Sequence, residues 1–144
     1  MAGWEEVRWD WTEADSKKAY GDELEPFSGQ YQNPGNLVRF YIKRRYIGGG
    51  EYSVLFPVGR GTGELSGVYV RPVRYPGGTA ADFAALEKQM TAQYGRARND
   101  DLDSVIGKRI RRVWTFPTTT IKLNFYNDGD LSIIYKPTRE ETLP

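Results

Sequence analysis

Residues 79–95 read TAADFAALEKQMTAQYG and residues 12–21 read TEADSKKAYG, and this pair of stretches decides the fold. In the longer one, Thr79 and Asp82 stand at capping-box spacing, and Phe83, Leu86, Met90 and Tyr94 recur along one helical stripe until Gly95 stops it. In the shorter one, Thr12 stands at a cap position and Gly21 at the left-handed stop position. Its acids Glu13 and Asp15 fall in the first turn and Lys17 and Lys18 in the last, the order a helix dipole favours. Each helix ends on Tyr-Gly and is followed by three strand-like runs. That recurrence predicts one domain over residues 1–144 with an internal repeat, 1–76 and 77–137, and a frayed tail at 138–144.

Outward from the helices, the strands announce themselves by alternation. Val38, Phe40 and Ile42 alternate with Arg39, Tyr41 and Lys43, the period-two pattern of a half-buried strand. Gly48-Gly49-Gly50 supplies a hairpin turn, and Tyr52, Val54, Phe56 and Val58 return from it. A third run covers 65–73, where Pro72 predicts an edge position because proline cannot donate to a ladder. Residues 22–36, with Pro26, Gly29, Pro34 and Gly35, read as an irregular loop, and Pro76-Gly77-Gly78 closes the first half. In the second half 99–103 reads as an acidic loop, followed by strands at 110–116, 119–126 and 131–135. A three-stranded meander alone buries little apolar surface, so the two units should share a sheet. The expected class is α+β: two helix-plus-three-strand units forming one largely antiparallel sheet with the helices on one face.

Composition removes much chemistry. The 144 residues contain no Cys and no His, so disulfides, a thiolate nucleophile and the commonest metal ligand and general base are all absent. No metal and no cofactor is expected. No run approaches the roughly 18 apolar residues of a membrane span, and residues 1–11 carry acids and no apolar core, so they are not expected to be a signal peptide. Acid–base work would fall to Asp and Glu, which lie mainly in the terminal segment, loops and turns, where no rigid strand aims a pair. No enzyme is expected.

Three motifs have plain structural explanations. Gly59-Arg60-Gly61-Thr62-Gly63 has amides suited to an anion, but it joins two strands and lacks the lysine of a phosphate loop. Asn127-Asp128-Gly129-Asp130 lacks the later glutamate of a calcium loop and reads as a hairpin turn. Of the three indoles near the start, Trp11 is placed to staple the first helix, and Trp4 and Trp9 to pack a sheet edge.

Charge is distributed unevenly although the total is only +1. Residues 1–25 hold eight acids against three bases, whereas 37–74 hold seven bases against two acids and 104–137 six against two. If the apolar residues of each strand face the helices, alternation forces a basic, tyrosine-bearing opposite face. An open antiparallel sheet needs such a face for solubility. Tyrosine and arginine are also the side chains that most often anchor interfaces. The partner-binding candidates are Tyr41, Lys43, Arg45, Tyr69, Arg71, Lys122 and Tyr126.

The run from Thr12 to Gly21 resembles the "Gly-Met-Thr, acidic and polar helix, Leu-Gly" opening of small bacterial outer-membrane assembly lipoproteins, and the tandem helix-plus-meander plan is similar to that of the proteinaceous beta-lactamase inhibitors. Asp10-Trp11 stands where that pattern has Gly-Met, and Tyr20 replaces its leucine. The resemblance implies a periplasmic or cell-envelope protein that binds other proteins through its sheet, and it carries over no catalytic residue. Without it a cytoplasmic location is expected. The expected function is a non-catalytic protein-binding or inhibitory module of the bacterial cell envelope, with another protein as partner. The alternative is an anion or nucleic-acid binding domain using the basic face.

Overall fold

The computed structural model describes residues 4–27, 36–73, 78–105, 107–126 and 129–138. The expected turn positions Gly29, Pro34, Gly35, Pro76, Gly77, Asn127 and Asp128, and the tail from 139 onward, lie outside them. Helix α1 spans Glu13–Tyr20 and α2 spans Ala80–Tyr94. Each opens with a full capping box, Thr12 with Asp15 and Thr79 with Asp82. In both, the threonine oxygen accepts the N3 amide and the N3 carboxylate accepts the threonine amide, so two otherwise orphaned donors are satisfied.

The strands are β1 (Leu24–Pro26), β2 (Asn36–Ile47), β3 (Gly50–Gly59), β4 (Val68–Pro72), β5 (Arg98–Asn99), β6 (Leu102–Asp103), β7 (Lys108–Thr115), β8 (Thr119–Tyr126) and β9 (Leu131–Pro137). They form one antiparallel sheet in the order β1-β2-β3-β4-β9-β8-β7-β5, with β6 also on β7. The strands before α2 fill one side, those after it the other, and the two sides meet at β4 and β9.

The expected α+β class, with helices forming a layer on one face, is overturned. Among the described residues the chain is mostly a nine-stranded antiparallel sheet carrying two short α-helices of 8 and 15 residues. Eight strands side by side span roughly 35 Å, whereas a helix is only about 10 Å across. Two helices therefore leave much of the sheet to be stabilised by its own side chains. The surplus strands come from segments expected to be loops: β1 lies within 22–36, and β5 and β6 at 98–103. Two or three residues are too few to show alternation, and these strands exist because longer neighbours pair with them.

Pro72 does not mark an edge. β4 is central, between β3 and β9, but its pairing with β9 stops at Val70 opposite Ile133, so the missing proline donor falls beyond that ladder. Trp4 is not at an edge either. It is 6% exposed and packs in the main core, with its ring 6.0 Å from Tyr20 and 6.1 Å from Phe56. Trp9 instead donates through its indole N–H to the Thr118 carbonyl and the Thr119 hydroxyl. The main core joins Phe40, Ile42, Val54 and Phe56 to Ile121, Leu123 and Ile133 of the other half, and to Phe83, Leu86 and Met90 of α2.

Gly78 is where α2 enters against the sheet. A Cβ there would stand 2.4 Å from the Leu131 Cβ and 2.8 Å from the Gly129 carbonyl oxygen, and neither atom is the free end of a flexible side chain. Its amide also donates to that carbonyl. We expect Gly78→Ala to destabilise the fold by about 1–3 kcal/mol, the usual cost of forcing atoms into a packed interior. Gly61→Ala, whose Cβ meets nothing within 4 Å, should stay within about 0.5 kcal/mol. Urea unfolding of the two variants checks the contrast, and equal midpoints would refute the close approach.

Candidate functional site

Two regions gather the candidate side chains, one on each face of the sheet. The first is a cross-strand row built by register. Glu25 lies opposite Tyr41, Tyr41 opposite Leu55, Leu55 opposite Tyr69, Tyr69 opposite Ile134, and Ile134 opposite Lys122. Paired residues in a ladder point the same way, so the row is continuous from β1 to β8. Val38, Leu55 and Tyr69 form a second apolar cluster with Phe27, Tyr41 and Ile134 against it, and neither helix contributes to it. Cations sit on its aromatic rings: the Arg71 guanidinium is 5.8 Å from the Phe27 ring and the Lys136 ammonium 5.9 Å from the Tyr69 ring. The Phe27 and Tyr41 rings meet edge to face at 5.1 Å.

Of the predicted residues, Tyr41, Tyr69, Arg71 and Lys122 are brought together on this face. Lys43 is exposed at a bulge, and its carbonyl accepts the Ser53 hydroxyl. Tyr126 lies opposite Arg109, four residues along β8 from Lys122 and thus about 13 Å away. Arg45 is on the other side of the sheet. Two bulges in β2, between Val38 and Tyr41 and between Ile42 and Arg45, each advance β2 by three residues for two on β3. An extra residue reverses the side-chain alternation. Arg45 consequently pairs opposite Tyr52 and lies over Trp4, 5.2 Å from the ring centroid.

On that helix-bearing side Arg45 organises a charged cluster. Its Nη1 donates to Glu5 at 2.5 Å and its Nη2 to Glu23 at 3.0 Å, while the Tyr20 hydroxyl donates to the other Glu5 oxygen. This ties the N-terminal segment and the 3-10 turn at Gly21–Glu23 to β2. Burial and the neighbouring Glu5 push the Tyr20 phenol far up from its ordinary pKa.

Beside this cluster opens a cleft of about 280 Å³. Trp4, Met90, Ile133 and Tyr135 make its buried floor, and Glu5, Arg45 and Tyr46 with Gln89, Gln93 and Tyr94 make its polar rim. The Tyr135 phenol is held well above its ordinary value, first by burial and then by Tyr94 beside it. α2 is fixed over the cleft from both ends. Phe83 packs on Phe125, and the Trp114 indole donates to the Gly95 carbonyl just beyond the helix. The Gly48 turn abuts Leu86 and Gln89.

Sequence reasoning missed the cleft. Its residues come from the N-terminal segment, β2, α2 and β9, and the one local signal was Gln89 and Gln93 at helical spacing beside Met90. The basic character of β7 was also overstated, because Arg109 and Arg111 pair with Asp100, and Arg112 with Glu87 and Asp101. Asp101 accepts the Arg111 amide, the first cause holding its carboxyl below the usual range.

Among the described residues no helix is long and apolar enough to cross a membrane. No protein-family model matches the sequence, and no curated protein matches it. Among solved structures the chain is similar to YjgB, a DUF4309 family protein from Bacillus subtilis, at 15% identity and a TM-score of 0.45 over 88% of this chain and 78% of that one.

Proposed function

We propose that this chain is a non-catalytic protein-binding module, inhibitory where its sheet face covers a working surface of the partner, and that the partner presents an acidic surface. The observation that supports it is the half-buried pair Tyr41 and Ile134, set beside the buried Leu55 and Tyr69, with Arg71, Lys136 and Lys122 around them. An apolar centre with aromatic anchors and a charged rim is the ordinary anatomy of a protein interface. A cell-envelope setting enters through the resemblance at residues 12–21. The anion or nucleic-acid alternative draws less support, since the arginines of β7 that would neutralise phosphates are paired with carboxylates.

The test is the double variant Tyr41→Ala with Arg71→Ala. Captured partners of the parent chain are identified, purified and titrated against both proteins at low and high salt. Losing an anchor pair should cost about 2 kcal/mol or more, a roughly 30-fold weaker Kd. A correctly folded double variant that keeps every affinity of the parent would remove the sheet face from consideration. Tight binding of labelled oligonucleotide, collapsing as salt rises, would favour the alternative instead.

A further inference from the structure

The cleft on the opposite side of the sheet has a chemistry of its own, and it is not that of the contact face. An anion is poorly served there, because the Arg45 guanidinium is already shared between Glu5 and Glu23. A cation fares no better, since one Glu5 oxygen accepts Arg45 and the other the Tyr20 hydroxyl. What the rim still offers is neutral. Gln89 and Gln93 stand one helical turn apart on α2, both line the cleft, and neither amide makes a hydrogen bond to another described residue. Each amide carries two donors and an acceptor. Beside them stand the half-buried Tyr94 and, at the mouth, Tyr46, which is 72% exposed, while Tyr135, 5% exposed, belongs to the floor. The volume, about 280 Å³, is just below the roughly 300–1,000 Å³ usual for small-molecule sites.

We infer that this cleft binds a small neutral saccharide. A pyranose ring has an apolar C–H face that packs on aromatic rings and a girdle of hydroxyls that both donate and accept. That combination matches the exposed Tyr46 and half-buried Tyr94 beside two amides that no other described residue engages. Among the described residues only one carboxylate, Glu5, lines the cleft, and it is held by Arg45 and Tyr20. Glycoside cleavage uses a pair of carboxyl groups flanking the bond, so the cleft holds a sugar without cutting it.

The experiment follows the side-chain amide resonances of Gln89 and Gln93 in the full chain during titration with glucose, N-acetylglucosamine and maltose. Parallel titrations use sodium glutamate and arginine. At least one neutral sugar should shift both amides saturably, and Gln89→Ala with Gln93→Ala should weaken its binding about tenfold or more, the loss of two neutral hydrogen bonds. Both residues are exposed, so the double variant should fold, and its amide spectrum checks this. No saturable shift up to the solubility of every sugar would overturn the proposal. So would shifts caused only by the charged probes, or binding that the double variant leaves unchanged. None of these outcomes bears on the sheet face, which is tested separately.

Discussion

Phe56→Ala is expected to remove about 3–5 kcal/mol of stability, the usual cost of truncating a buried phenylalanine. Phe56 has no exposed surface and sits in the middle of β3. Its ring lies 5.7 Å from Phe40, 5.6 Å from Tyr20 and 6.1 Å from Trp4. One substitution therefore unseats the neighbouring strand, the end of α1 and the N-terminal segment together. Small domains hold only about 5–15 kcal/mol in all, so the variant should be partly unfolded near physiological temperature. Calorimetry with near-ultraviolet circular dichroism measures it, because the aromatic cluster is itself the spectroscopic probe. If melting and aromatic signal both survive, the cluster is not what joins these three elements.

The same cluster shows what was legible beforehand. Phe40, Ile42, Val54 and Phe56 were assigned to the buried side by alternation alone, and the helix starts were visible as Thr12 at a cap position and as Thr79 followed three residues later by Asp82. These are local rules, satisfied within a few residues of chain. Arg45 shows where they stop. Nothing in Asn36–Ile47 marks the two extra residues, because a bulge is a mismatch with the partner strand, and β3 supplies that mismatch. Carrying a strict period of two through the first bulge put Val38 with Phe40 on the helix side, and carrying it through the second put Arg45 beside Tyr41; each lies on the other side of the sheet. The balance of sheet to helix was misjudged for a related reason. β1, β5 and β6 are short ribbons recruited by long neighbours, and only the assembled sheet displays them. The cleft is less local still: Trp4, Arg45, Gln93 and Tyr135 are far apart in the chain and meet only once β9 is paired at the centre of the sheet.

Alkaline pH should unfold this protein cooperatively, beginning above about pH 10. Tyr20, Tyr52 and Tyr135 are 8%, 4% and 5% exposed, and burial is in each case the first cause that favours the neutral phenol. Asp82 adds to this at Tyr52, whose pKa is pushed up to about 12, while Glu5 and Glu6 add to it at Tyr20. An unfolded tyrosine ionises near 10. The stability each buried phenol contributes is therefore fully present below about pH 10 and is lost as pH climbs toward the folded value. For Tyr52 that window runs from about 10 to about 12. Every unit by which a folded pKa exceeds the unfolded one is worth about 1.4 kcal/mol, so three such groups draw heavily on a total of about 5–15. Tyrosinate absorbance of the buried set and loss of far-ultraviolet circular dichroism should then rise in a single transition. Tyr135→Phe, which keeps a ring in the core but has nothing to ionise, should move the midpoint to higher pH. Complete tyrosine ionisation while the sheet signal stays native would mean that these phenols reach solvent in the folded chain.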